Sequence, residues 1–300
     1  MTSALRIFAL SLAFVSALSF GDAVIEHHVQ RGDVSLVYET EGKGDPVVFL
    51  AGGPGVTPYS VKPAQDFVSL KHMAVLIHQR GTGKTALPKA DSAHINLAAF
   101  IDDVDAVRKD LHAEKITLVG HSWGGMLAMA YTGAHPDKVS HLILMDSGGA
   151  DLSFAAIFSD NINMRLTDED LALQKQSNEE ASKKNPLSAL HYLQSILPAY
   201  FYRRENAMAF EKTMKVDDYN PALRPLLMGY DVTKSIVNYH GPVDIIQGRQ
   251  DPIDANTVQL NLKYLPQGHV HWIERAGHIP WLEEPADFQQ TISLVLGDKF

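Results

Sequence analysis

Val34, Leu36 and Tyr38 alternate with polar neighbours, the two-residue period of a strand buried on one face. After the turn sequence Glu41-Gly-Lys-Gly-Asp-Pro46 comes an unbroken apolar run, residues 47–51, which reads as a strand buried on both faces. The period then switches back and forth. Strand-like runs at 73–77, 116–119 and 142–145 are separated by helical patterns. Leu97, Phe100, Ile101, Val104, Val107 and Leu111 mark one broad face of a helix over 97–111, and small residues form a second helix over 126–134. Such alternation predicts a mostly parallel central sheet with helices on both faces.

The alternation stops near residue 150. Residues 150–238 carry helical periodicity, charge clusters such as Glu179-Glu-Ala-Ser-Lys-Lys184 and many aromatics, with no convincing buried strand. The α/β pattern resumes at 243–246 and 269–273 and ends in a helix over 285–296. The expected organisation is therefore an α/β core, residues 23–149 and 239–300, interrupted by a helical cap over 150–238. An insertion that leaves and re-enters one sheet is expected to act as a lid.

Residues 1–22 stand apart. Arg6 precedes the apolar stretch 7–20, and Ala17-Leu-Ser19 followed by Gly21-Asp-Ala23 offers the small residues of a cleavage site. A secretory signal peptide is expected, with an uncleaved N-terminal anchor as the alternative. Cleavage would give an exported protein, periplasmic or secreted, with no stable membrane span. The chain has 300 residues, a net charge of −9 and no basic run, so no nucleic-acid partner is expected. It has no cysteine, which excludes disulfides, cysteine-ligated zinc and a cysteine nucleophile.

The candidate chemistry begins where the run 116–119 ends, in Gly120-His-Ser-Trp-Gly-Gly125. This is G-x-S-x-G between a strand and a helix, a turn that holds Ser122 in strained backbone angles and projects its hydroxyl. A serine hydroxyl needs a base, and the base needs an orienting carboxylate. Asp251 and His278 each follow a strand, in the chain order Ser, Asp, His. Asp146 also follows a strand and is the competing acid. An oxyanion hole would take one backbone N–H from Trp123 and one from the loop Ala51-Gly-Gly-Pro-Gly55. Gly53 is the expected donor and Gly52, which would also border the substrate, the alternate; Pro54 has no N–H.

Two other motifs lead elsewhere. Gly81-Thr-Gly-Lys-Thr85 ends like a phosphate-binding loop, but the glycine required five positions before Gly83 is His78, so no nucleotide is expected. His269-x-His271 and His27-His28 lack a carboxylate cluster, so neither a metal nor a cofactor is expected.

With these motifs in hand, the chain resembles the α/β-hydrolase superfamily, and within it the proline iminopeptidase group of serine peptidases. That group carries an HGGPG loop, here Ala51-Gly-Gly-Pro-Gly55. It carries a DQRGxGxS loop, here His78-Gln-Arg-Gly-Thr-Gly-Lys-Thr85, and a GxSxGG elbow, here Gly120–Gly125. Gly248-Arg-Gln-Asp251 and the segment 276–285, AGHIPWLEEP, also match. The departures are Ala51, His78 and Thr85, where the group has His, Asp and Ser. The resemblance implies an aminopeptidase that releases N-terminal residues from short peptides, with cap carboxylates holding the substrate ammonium. Glu205 matches one such position, and Asp231 is a candidate for a second. The alternative, resting on the triad and the cap aromatics, is a carboxylesterase or lactonase acting on small apolar esters.

Overall fold

The structure, a computed structural model, describes residues 23–298; the expected signal segment, residues 1–22, lies outside the described residues. In chain order the elements are β1 (Ile25–Arg31), β2 (Val34–Glu41), β3 (Pro46–Leu50), α1 (Lys62–Ser69), β4 (Met73–His78), α2 (Leu97–Asp110), β5 (Ile116–His121), α3 (Trp123–Ala134) and β6 (Val139–Met145). Five helices follow: α4 (Ala155–Asn163), α5 (Asp168–Ser182), α6 (Ser188–Ile196), α7 (Arg204–Glu211) and α8 (Thr233–Ile236). The chain closes with β7 (Val243–Gly248), α9 (Ala255–Tyr264), β8 (His269–Ile273), α10 (Pro280–Glu283) and α11 (Pro285–Val295).

The eight strands form one sheet in the order β1-β2-β4-β3-β5-β6-β7-β8. From β4 to β8 every neighbouring pair is parallel, while β1 and β2 extend one edge in antiparallel fashion. The parallel strands are near-continuous apolar runs because both faces are covered. One face packs on α2, α3 and α9, through residues such as Phe100, Val104, Leu127 and Val258. The other packs on α1, α10 and α11, through Ala64, Val68, Trp281 and Phe288. Both layers are needed, since a parallel sheet with a bare face would expose Val, Ile and Leu along its length.

β1 was not evident in the hydropathy pattern. Its sequence, IEHHVQR, is mostly polar and mostly exposed, as an edge strand tolerates. It is held by pairing to β2 and by His27 stacked on Tyr38 at 4.6 Å. The segment expected as a cap also differs in one respect. Leu223, Leu226, Tyr230, Val232 and Ile236 belong to the same buried cluster as α2 and α3, so its C-terminal part packs with the core. Among the described residues no helix is long and apolar enough to cross a membrane.

The parallel arrangement aligns the C-terminal ends of six strands along one edge, where open α/β sheets place their sites. The turn Ala51–Gly55 follows β3, His78–Thr85 ends β4, and Ser122, Asp146, Asp251 and His278 follow β5, β6, β7 and β8.

Candidate active site

Ser122 alone reverses the chain between β5 and α3. Its φ of 56° and ψ of −120° lie in a region that side-chain-bearing residues avoid. Glycines make the turn possible. A Cβ at Gly120 would strike the backbone of Gly124, and a Cβ at Gly124 would strike the carbonyl of Leu50 on β3. Ser122 N donates to Met145 O at 3.1 Å, which ties the turn to β6.

His278 Nδ1 lies 3.0 Å from both carboxylate oxygens of Asp251. Asp251 also accepts from Gln247 Nε2 at 2.8 Å and from the Ile253 amide at 2.9 Å. His278 and Ser122 border one cavity of about 550 Å³ roofed by α4, α6 and α7. Burial pushes the His278 imidazole down to about 3, so the ring is neutral at neutral pH.

Asp146, the competing acid, is fully buried behind this pair. Its φ is 45°, Oδ1 accepts the Gly248 amide at 2.7 Å, and Oδ2 has no donor among the described residues. It faces Asp251 rather than His278. Burial pushes both carboxyls up. The Asp251 charge raises Asp146 further, whereas a hydrogen bond from Asp146 holds Asp251 down. Two buried carboxyls in contact keep one proton between them. Asp251 has three N–H donors and Asp146 has one, an imbalance that favours the charge on Asp251 and the proton on Asp146.

The loop after β3 presses on the serine. A Cβ on Gly52 would sit 3.1 Å from both Ser122 Cβ and His121 Nδ1, a tight contact that glycine relieves. Gly53 adopts φ 123° and Gly55 φ 99°, conformations open to glycine. Gly52 and Gly53 both line the cavity. Trp123 is the first residue of α3, so its amide has no carbonyl one turn earlier to bond. The Trp123 indole N–H donates to Gln79 Oε1 at 3.0 Å, and Gln79 Nε2 donates to Ala51 O at 2.8 Å. Gln79 thus bridges the two segments that flank Ser122.

The rest of the His78–Thr85 loop is a brace. Arg80 makes a bidentate pair with Asp103 at 2.7 and 2.6 Å. Lys84 Nζ sits between Glu26 and Glu39 at 2.6 and 2.7 Å. Thr85 Oγ1 accepts the Val37 amide at 2.9 Å. Likewise His271 is paired with Asp244, at 2.5 Å, a carboxylate it shares with His141.

Two further buried residues, one in the elbow and one in the segment 276–285, support the site. His121 is buried, and its Nε2–H donates to the His278 carbonyl at 2.9 Å; burial, with the His278 ring beside it, keeps it neutral. Glu283 accepts the amides of Gly277, Tyr202 and Arg203 at 2.7, 2.9 and 3.0 Å, clamping the His278 loop to the cap.

The structure does not bring Glu205 to the cavity. On α7, Ala207 is buried and Phe210 lines the cavity. Glu205, two residues before Ala207, falls on about the opposite side of the helix and is exposed. It sits in the first helical turn, where a carboxylate complements the helix dipole. Asp231 is also exposed and is occupied by the Thr233 amide and hydroxyl at 2.9 and 2.7 Å. The carboxylate that does line the cavity is Asp218.

A strained serine at a strand–helix turn, a buried His–Asp pair and a glycine loop on one cavity define an α/β hydrolase. Residues 45–285 match the alpha/beta hydrolase fold family model, and the chain belongs to that family; it is a hydrolase. It is 24% identical over 287 residues to a proline iminopeptidase of Heyndrickxia coagulans, covering 88% of this chain and 95% of that one. It is 25% identical over 272 residues to a cis-3-alkyl-4-alkyloxetan-2-one decarboxylase of Shewanella oneidensis, covering 87% and 84%. A crystal structure of proline iminopeptidase from Mycobacterium smegmatis superposes with a TM-score of 0.69 at 21% identity, over 91% of this chain and 98% of that one; at this identity the likeness is one of fold.

Proposed function

We propose that the chain is a serine hydrolase of small, largely apolar carboxylic esters, lactones included, acting through an acyl-enzyme. Ser122 Oγ attacks the ester carbonyl while His278 Nε2 takes its proton. The tetrahedral oxyanion is held by the amides of Gly53 and Trp123. The C–O bond breaks and His278 returns the proton to the departing alkoxide. Water then repeats the cycle on the acyl-enzyme, releasing the acid and restoring Ser122. Asp251 fixes the tautomer of His278, with its proton on Nδ1, and stabilises the transient imidazolium.

The observation that carries the ester reading is the position of Glu205. A buried ammonium needs a facing carboxylate, and the residue matched to that role is on the outer face of α7. The cavity lining is mainly aliphatic and aromatic, with Phe158, Leu193, Ile196 and Phe210 among it. The relative from Shewanella oneidensis, named for an oxetan-2-one, a cyclic ester, supports the same reading. The second reading is the aminopeptidase, favoured by the relatives named proline iminopeptidase and by Asp218 as a cavity carboxylate.

The test sets p-nitrophenyl acetate and butyrate beside proline, alanine and leucine arylamides, with Ser122→Ala as control. Ester turnover lost in the variant is the expected result. Arylamide turnover that requires a free amine would replace it with the aminopeptidase and make Asp218 the next target. Turnover surviving in Ser122→Ala would overturn both.

A further inference from the structure

Arg224 lines the catalytic cavity from the short helical segment Pro221–Leu227. Its guanidinium lies over the Tyr192 ring at 4.5 Å, and among the described residues no carboxylate pairs with it. Two other arginines lie near the site: Arg165, whose Nη1 donates to the Ala199 carbonyl at 2.9 Å and whose charge reaches Asp251, and Arg80. Arg80 is consumed by Asp103. The charged side chains lining the cavity are Lys215, Asp218 and Arg224, so with His278 neutral the cavity is net positive in a chain of net charge −9. Asp218 already accepts the Lys215 amide at 2.7 Å.

The arginine is also rigidly placed relative to the serine. Leu223 and Leu226, on either side of it, are buried. Asn220, at the start of the segment, donates its amide to Gly55 O at 2.8 Å and its side-chain Nδ2 to Gly81 O at 2.9 Å. The segment is thus fastened to the oxyanion loop and to the brace below it. The Tyr192 face, with hydrogen bonding to the Tyr192 and Tyr219 hydroxyls, holds the guanidinium in place, and the N–H groups these leave are available to a planar acceptor.

We propose that Arg224 forms a carboxylate-binding subsite, and that the ester substrate carries a carboxylate at the end remote from the scissile carbonyl. This rests on the ester reading for its chemistry but not for the subsite itself. A cation in an apolar, partly enclosed pocket favours one anion of complementary shape, and guanidinium and carboxylate match in a paired geometry. A carboxylate-bearing ester should gain on the order of 10- to 100-fold in kcat/KM over its neutral counterpart.

The experiment compares p-nitrophenyl hydrogen adipate with p-nitrophenyl methyl adipate, which masks the acyl-side carboxylate. A second arm compares 4-acetoxybenzoate with its methyl ester, which masks an alcohol-side carboxylate. The expected result is a preference for the acid-bearing member on one arm that falls towards unity in Arg224→Gln and is partly kept in Arg224→Lys. A ratio at or below unity on both arms, or a preference untouched by Arg224→Gln, overturns the proposal. Independently of turnover, adipate should raise the Tm of Ser122→Ala but not of the Ser122→Ala, Arg224→Gln double variant. If no ester is cleaved yet that shift is seen, the ester reading fails and the subsite stands. If esters are cleaved and no shift is seen, the subsite fails alone.

Discussion

Asp146→Asn tests the electrostatics behind the site. If Asp146 carries the shared proton, asparagine reproduces its hydrogen bonds. The side-chain oxygen accepts the Gly248 amide in place of Oδ1, and the NH2 donates to Asp251 in place of the carboxyl proton. Activity should therefore stay within a few-fold of the parent. Asp251→Asn should lose about 10⁴-fold, because His278 Nδ1 has its two carboxylate contacts there. Stability gives a second, sharper reading. The folded Asp146 is raised well above its ordinary value of 3.8 by burial and then by the Asp251 charge, with Glu283 adding to it. Above about pH 4 the native state thus binds a proton that the unfolded chain has released. The stabilisation is full below the unfolded pKa and is lost as pH rises towards the folded one, at about 1.4 kcal/mol per pH unit. The asparagine of the Asp146→Asn variant cannot titrate. Urea unfolding at pH 5, 6, 7 and 8 should show the variant gaining on the parent by roughly 2.7 kcal/mol between pH 5 and 7. A stability difference that does not change with pH would mean that Asp146 is ionised in the native state. A hundred-fold loss of activity with the fold intact would mean that it is the working acid. Either result refutes the proton assignment.

Two further predictions concern the neighbouring residues. The neutral form of His278 is the base, and burial depresses its pKa, so its neutral fraction is complete above the folded pKa and lost only as pH falls through it. An ordinary histidine would be only about one quarter neutral at pH 6; here kcat/KM for an ester should fall by less than half between pH 8 and 6, and a steeper fall would contradict the depression. Gln79→Leu should cut kcat more than it raises KM and lower the urea midpoint, since it leaves the Trp123 indole N–H unpaired in a buried site at a cost of about 1–3 kcal/mol. Unchanged kcat with a lowered midpoint would make Gln79 a stability residue only.

The parallel strands and their site residues were legible because both follow from burial. A strand covered on two faces must be apolar throughout, so 47–51, 116–119 and 142–145 stand out, and residues just beyond their ends share one sheet edge. The same logic kept Asp146 as a competitor to Asp251, since each follows a strand. What separates them is which one meets the His278 ring, and that depends on loop paths no period records. β1 escaped notice because an edge strand with one exposed face keeps its polar residues. Gln79 is polar and nearly fully buried, and its partners are a tryptophan and a carbonyl from two different strand ends. Glu205 shows the limit most clearly. The motif match located a carboxylate in the right stretch of chain, but on a helix a shift of two residues turns a side chain about 200°. Ala207 is buried and Glu205 is not, so the helix is phased by its packing on the sheet-side core and not by the ligand. Arg224 is the converse case. It sits in a proline-containing 3-10 stretch, and only the fastening of that stretch to the loop after β3 gives its charge a direction. Core residues answer to a layer, and layers leave periods. Residues facing a cavity between two layers answer to a ligand, and their pattern is that of the ligand's shape and charge.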